Sequence, residues 1–132
     1  MQTIKRILLV EDNIDDQFFF LNALASAHPT MKYEVAANGL EALKLMAGLP
    51  KFEMIFLDLY MPKMDGFEFL ENINDNLVYK NVPIVIISAL DHPKDIERCR
   101  KLGVVHFFSK PVTFYSLFSK LNLIQFKNLL PT

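Results

Sequence analysis

The sequence has one cysteine, no surplus of positive charge and no long apolar run, and each lack removes a class of protein. With Cys99 alone, neither an internal disulfide nor a thiolate-rich zinc site can form, and the residue reads as a small buried hydrophobe. The chain carries 14 Lys and Arg against 15 Asp and Glu, a formal net charge of −1. Nucleic-acid affinity is built largely from clustered cations that neutralise phosphates, so direct nucleic-acid binding is not expected. No apolar stretch approaches the roughly 18 residues that a membrane-crossing helix needs, so no membrane contact is expected either. Met1 to Arg6 lead at once into a strand-like run, without the apolar core and cleavage site of a signal peptide, which points to the cytoplasm.

What is present is core-forming material. Hydrophobic residues make up 52% of the chain and charged ones 22%, which excludes disorder. A chain of 132 residues has room for one ordinary core and no second folded domain. We expect residues 1–132 to form a single domain with its core at about 4–127.

Five short apolar or β-branched runs alternate with helical patterns: Ile7 to Val10, Tyr33 to Ala36, Met54 to Leu57, Ile84 to Ile87 and Val105 to Phe108. The first, third and fourth are apolar throughout, as in central parallel strands covered on both faces, while the second and fifth mix in polar residues and read as edges. Helices are expected from Asp15 to Ala27, from Leu40 to Ala47, from about Asp65-Gly66, from Pro93 to a stop at Gly103, and over the stripe Phe114, Leu117, Phe118, Leu121 and Ile124. Strict alternation with right-handed crossovers gives a three-layer α/β/α sandwich, a doubly wound five-stranded parallel sheet for which we expect the order 2-1-3-4-5. Ligands in such sheets bind at the carboxyl ends of the strands, beside the switch in strand order.

The polar residues concentrate there. Glu11 and Asp12 follow the first run, Asp58 the third, Ser88 the fourth, and Lys110 with Pro111 the fifth. Any one of these acids could be a helix cap or a solvated loop residue. Carboxylates gathered at the apolar end of a sheet repel one another and lose solvation, an arrangement that makes sense with a divalent cation among them. Oxygen ligands without His or Cys point to a hard ion, Mg²⁺ or Mn²⁺.

Four segments, Ile7-Leu8-Leu9-Val10-Glu11-Asp12-Asn13, Leu57-Asp58-Leu59-Tyr60-Met61-Pro62-Lys63-Met64-Asp65-Gly66, Ile87-Ser88-Ala89 and Phe108-Ser109-Lys110-Pro111, together resemble response-regulator receiver domains over nearly the whole chain. The resemblance implies a flavodoxin-like fold and a phosphoacceptor at Asp58, charged from a phosphohistidine of a histidine kinase or histidine phosphotransfer protein. It implies that Asp12, Asp58 and the backbone carbonyl of Tyr60 coordinate Mg²⁺ or Mn²⁺, with Glu11 holding the ion through water. Lys110 would neutralise phosphoryl charge, Ser88 would donate to a phosphoryl oxygen, and Pro111 would form a cis-proline turn that aims the lysine. Phe107 stands where such domains carry a switch aromatic, often Tyr; lacking the hydroxyl, it could swing but not gain a side-chain hydrogen bond.

The output surface expected from the resemblance is the fourth helix, fifth strand and fifth helix, with Leu90, Pro93, Phe107 and Tyr115, facing a downstream protein or a second copy on activation. In the first helix Phe18, Phe19 and Phe20 step about 100° apart, so one ring at least should be exposed. Such a ring could anchor the histidine donor. An aspartyl-nucleophile phosphohydrolase is disfavoured because it wants an acid two residues after the nucleophile, where Tyr60 stands. An FMN binder is disfavoured because the first strand leads to acids and not to a glycine-rich phosphate loop. A receiver that only docks partners would have lost the acids or the lysine. The expected protein is a signalling phosphoacceptor and not an enzyme, and the start methionine and short tail suggest a stand-alone receiver.

Overall fold

The computed structural model describes residues 6–48, 51–110 and 112–124. Five strands, β1 (Arg6–Val10), β2 (Lys32–Ala36), β3 (Met54–Leu57), β4 (Ile84–Ser88) and β5 (His106–Ser109), alternate with five helices, α1 (Ile14–Ala27), α2 (Gly39–Met46), α3 (Gly66–Asn74), α4 (Pro93–Lys101) and α5 (Phe114–Ile124). All pairings are parallel and the order is β2-β1-β3-β4-β5, as expected. Boundaries differ from the sequence reading by one or two residues. Ser88 is the last residue of β4, and β5 begins after Val105.

The period-two pattern of the strands divides the core into two layers. Ile7, Leu9, Met54, Phe56, Val85 and Ile87 face Phe20, Ala23 and Leu24 of α1 and Leu117 and Leu121 of α5. Leu8, Val10, Ile55, Leu57 and Ile86 face the other way, onto α2, α3 and Cys99 of α4. Cys99 is fully buried, as its sequence reading required. Among the described residues no helix is long and apolar enough to cross a membrane.

Helix starts are set by side-chain caps. Asn13, Asn38 and Asp65 each accept a hydrogen bond from the backbone N–H three residues on, at Asp16, Glu41 and Glu68, at 2.9–3.0 Å. Such caps are worth about 0.5–2 kcal/mol each. The Asn13 cap opens α1 immediately after the β1 acids and so brings Asp16, in the first helical turn, back over the strand end. α4 differs: Pro93 sits in its first turn without a side-chain cap bond from His92, and Cys99 is its one buried residue.

Candidate functional site

Sheet hydrogen bonds run past the strand ends and fix the backbone of each polar residue. Glu11 N–H donates to Ala36 O at 2.9 Å, Asp58 N–H to Val10 O at 3.0 Å, and Lys110 N–H to Ser88 O at 2.8 Å. Glu11, Asp58 and Ser88 are buried at 4%, 7% and 0% exposure, so their polar atoms must find partners within the protein.

They do so in one cluster. Ser88 Oγ donates to Asp58 Oδ1 at 2.7 Å and accepts from Leu59 N–H at 3.3 Å, so Ser88 is not a helix cap. Tyr60 N–H also points at Asp58 Oδ1, at 3.4 Å. Lys110 Nζ donates to Glu11 Oε1 at 2.7 Å and to Asp16 Oδ2 at 2.8 Å, and lies 3.5 Å from Asp58 Oδ2. The structure thus brings Glu11, Asp58, Ser88 and Lys110 together from four strand ends. Asp12 joins from the exposed side, with one oxygen of each of Glu11, Asp12 and Asp58 within 4.8 Å of the others.

The electrostatics of the cluster are incomplete. Burial pushes the Glu11 carboxyl up to about 7; the Lys110 hydrogen bond pulls against this, and the Asp58 charge adds to it. Burial works against the Lys110 ammonium, but hydrogen bonds to Asp16 and Glu11 and the charge of Asp58 outweigh it and raise its pKa. Lys110 thus faces three carboxylates, Glu11, Asp16 and Asp58. Glu11, Asp12 and Asp58 offer hard oxygen donors without nitrogen or sulfur, a set that fits Mg²⁺ or Mn²⁺.

Close packing explains the motif glycine. A Cβ on Gly66 would stand 2.7 Å from both Asp58 O and Leu59 Cα, so α3 can start against the β3 end only without one. Lys63, in the intervening loop, takes a positive φ of 67°. Tyr60 extends outward from the same loop, 45% exposed, and its hydroxyl donates to Asp95 in the first turn of α4. That bond pushes the phenol up to about 12. The Tyr60 ring meets Phe67 edge-on, with ring centroids 6.4 Å apart, and the Arg98 guanidinium lies 4.2 Å from the Phe67 ring centre.

Phe107 is half-buried against the α4 layer, with the Arg100 guanidinium 5.3 Å from its ring centre. Of the three consecutive phenylalanines, Phe18 is 63% exposed, Phe19 intermediate and Phe20 buried, as their spacing required. A cavity of about 610 Å³ adjoins the cluster, lined by Glu11, Asp58 and Lys110 on its polar side and by Phe19, Phe20 and Leu117 on its apolar side. The cis-proline expectation falls on Pro111, which lies outside the described residues.

Sequence reasoning missed two participants, Asp16 and Asp95. Asp16 was legible in principle, since the pattern Asn13-x-x-Asp16 is a helix start that folds the fourth acid back over the strand end. Asp95 was not, because its partner Tyr60 is 35 residues away.

Fold and cluster together define an α/β domain with a buried acidic site at the strand ends of a parallel sheet, and comparison with known proteins gives the family. A profile of the response regulator receiver domain matches residues 7–122. The two-component response regulator ORR11 of Oryza sativa subsp. indica is 33% identical over 108 residues, covering 80% of this chain and 71% of that one. Among solved structures, the phosphorylated cyanobacterial phytochrome response regulator RcpA aligns with a TM-score of 0.81 at 30% identity, over 92% of this chain and 91% of its own. The Mn²⁺-bound form of response regulator Rcp1 aligns at 0.82 and 28%, over 97% and 99%. The chain belongs to the response-regulator receiver family.

Proposed function

We propose that this receiver accepts a phosphoryl group on Asp58 from a phosphohistidine of a histidine kinase or histidine phosphotransfer protein. The reading is carried by one observation: a buried carboxylate meets a hydroxyl on one oxygen, Ser88 at 2.7 Å, and an ammonium on the other, Lys110 at 3.5 Å. An Asp58 oxygen attacks phosphorus; the P–O bond forms as the P–N bond to the donor imidazole breaks, and the imidazole leaves with the electron pair. The loose transition state spreads charge over the equatorial oxygens, so the protein's task is to position and neutralise. Lys110 supplies one positive charge. Ser88 turns its hydroxyl from Asp58 to a phosphoryl oxygen and draws the segment after β4 inward. Glu11, through water, and Asp12, Asp58 and the Tyr60 carbonyl would hold Mg²⁺ or Mn²⁺, which when bound neutralises charge on the phosphoryl oxygens.

The donor's helical bundle docks beside this rim on α1, where Ile14 and Phe18 are each 63% exposed. The signal leaves through α4, β5 and α5, where Phe107 follows the Ser88 movement and Leu90, Pro93 and the 78% exposed Tyr115 meet a downstream protein or a second copy. The chain works in the cytoplasm as one receiver domain over residues 1–132, a signalling phosphoacceptor and not an enzyme on a separate substrate. Intact-mass measurement after incubation with Mg²⁺ and acetyl phosphate tests the central claim. One phosphoryl adduct, absent from Asp58→Asn, is expected; an unmodified wild-type chain overturns it.

A further inference from the structure

The position of Lys110 carries a consequence for its own availability. Its ammonium makes short bonds to Glu11 at 2.7 Å and Asp16 at 2.8 Å, while Asp58, the group it would serve, is at 3.5 Å. Glu11 and Asp58 belong to the three acids whose oxygens converge within 4.8 Å; Asp16 does not. Asp16 is placed by the start of α1, where the Asn13 cap binds its backbone N–H at 3.0 Å. Whatever positive charge Glu11 and Asp58 come to share, Asp16 still faces the lysine. It stands in the first turn of α1, three residues beyond the first motif segment, so nothing in the strand-end pattern assigns it a task.

We propose that Asp16 is a positioning residue for Lys110, a carboxylate tether that holds the ammonium at the rim and must give up part of it when a phosphoryl group arrives on Asp58. The inference rests on the reading of Asp58 as phosphoacceptor. Tether and phosphoryl oxygens compete for one ammonium, so loss of the tether strengthens the hold on the phosphorylated state. The pair is partly exposed, with side-chain exposures of 21% for Lys110 and 46% for Asp16, so its worth is that of a screened ion pair, a factor of about 2–5.

Two measurements on the full chain test this. In lysine side-chain ¹⁵N NMR without metal, the Lys110 Nζ signal, assigned by its loss in Lys110→Met, should shift in Asp16→Asn and return towards the wild-type position in Asp16→Glu, which keeps the charge. In a ¹⁹F NMR titration with beryllofluoride and saturating Mg²⁺, Asp16→Asn should bind about 2–5-fold tighter than wild type. Asp15→Asn, which removes the neighbouring charge on the same turn, should bind as wild type does, and the gain should vanish when Asp16→Asn is combined with Lys110→Met. An unmoved Nζ signal, equal affinities, or an equal gain in Asp15→Asn overturns the tether. A wild type that binds no beryllofluoride while its Nζ signal shifts as expected overturns the phosphoacceptor reading and with it the competition, leaving the contact as a structural ion pair.

Discussion

β3 and β5 each lead directly into a residue that the site needs, Asp58 and Lys110, yet they are held in opposite ways. Met54, Ile55, Phe56 and Leu57 of β3 are all fully buried, with neighbours β1 and β4 on either side. In β5, His106, Phe107 and Phe108 are half-buried and Ser109 is exposed, and its one paired neighbour is β4. The flanking helices follow suit. α3 buries Phe67, Phe69, Leu70 and Ile73, whereas α4 buries Cys99 alone and adds polar and cation–π contacts, among them Arg98 to Glu71 at 3.0 Å and Arg100 over Phe107. Apolar burial is cooperative and hard to rearrange in small steps, while surface polar contacts exchange for water at little cost. The carboxylate Asp58 thus sits on the fixed part of the molecule, and Lys110 and Phe107 on the part that can be repacked.

The comparison breaks most sharply at the strand end. Asp58→Asn should abolish the phosphoryl adduct altogether while leaving the unfolding midpoint close to that of wild type. A residual adduct of equal yield in intact-mass spectra would move the acceptor elsewhere. Next in size, truncation should separate the strands. Phe56 is fully buried with its ring 4.8 Å from that of Phe20, and Phe56→Ala should cost about 3–5 kcal/mol in urea unfolding. Phe107→Ala, on the half-buried edge, should cost about 1–2 kcal/mol, since only part of its surface leaves water on folding. Equal costs at the two positions would remove the distinction between a fixed and a repackable strand.

How legible these parts were in the sequence follows from the range of the forces involved. The strands could be read because residues such as Ile55 and Ile86 need covering on both faces, and a buried parallel strand writes that need as an unbroken apolar run. The acids were legible because Glu11, Asp12 and Asp58 sit directly beside those runs, where no core requirement explains them. Gly66 could be seen in the motif, but its cause could not, because the clash it avoids is with the Asp58 backbone across a loop. The Asp16 tether and the Tyr60 to Asp95 bond join elements that the chain order does not set side by side. Side-chain pairing across a fold depends on rotamers and on close approach, which local patterns do not encode.

The Tyr60 hydroxyl is the link between the two parts, and its removal should sharpen the contrast. The bond to Asp95 ties the loop after β3 to the first turn of α4, a helix whose start lacks a side-chain cap. The bond lies at the surface, with Tyr60 45% exposed, so its net contribution is on the order of 0.5–1.5 kcal/mol. Tyr60→Phe should therefore lower stability by about 1 kcal/mol or less and raise amide hydrogen exchange in the first turns of α4, with the β3 amides unchanged. Exchange that rises equally in β3, or in neither element, would show that the hydroxyl does not couple them.

The smallest effect tests the one apolar anchor of α4. Burial pushes the Cys99 thiol from an ordinary 9 up to about 11, with the charge of Asp95 adding to the shift and Arg98 opposing it. A thiol whose pKa is raised by folding keeps its proton in the folded state at pH values where the unfolded chain has lost it. Stability from this source is complete below pH 9 and is lost as the pH rises towards 11. Over pH 8 to 9.5 the loss should amount to about 0.5–1 kcal/mol. Cys99→Ala lowers stability at every pH through the lost volume, but its urea-derived stability should fall less steeply over the same interval than that of wild type. Parallel slopes for the two proteins would mean that the thiol ionises as readily in the fold as in water, and that α4 is held less closely at its anchor than the buried side chain implies.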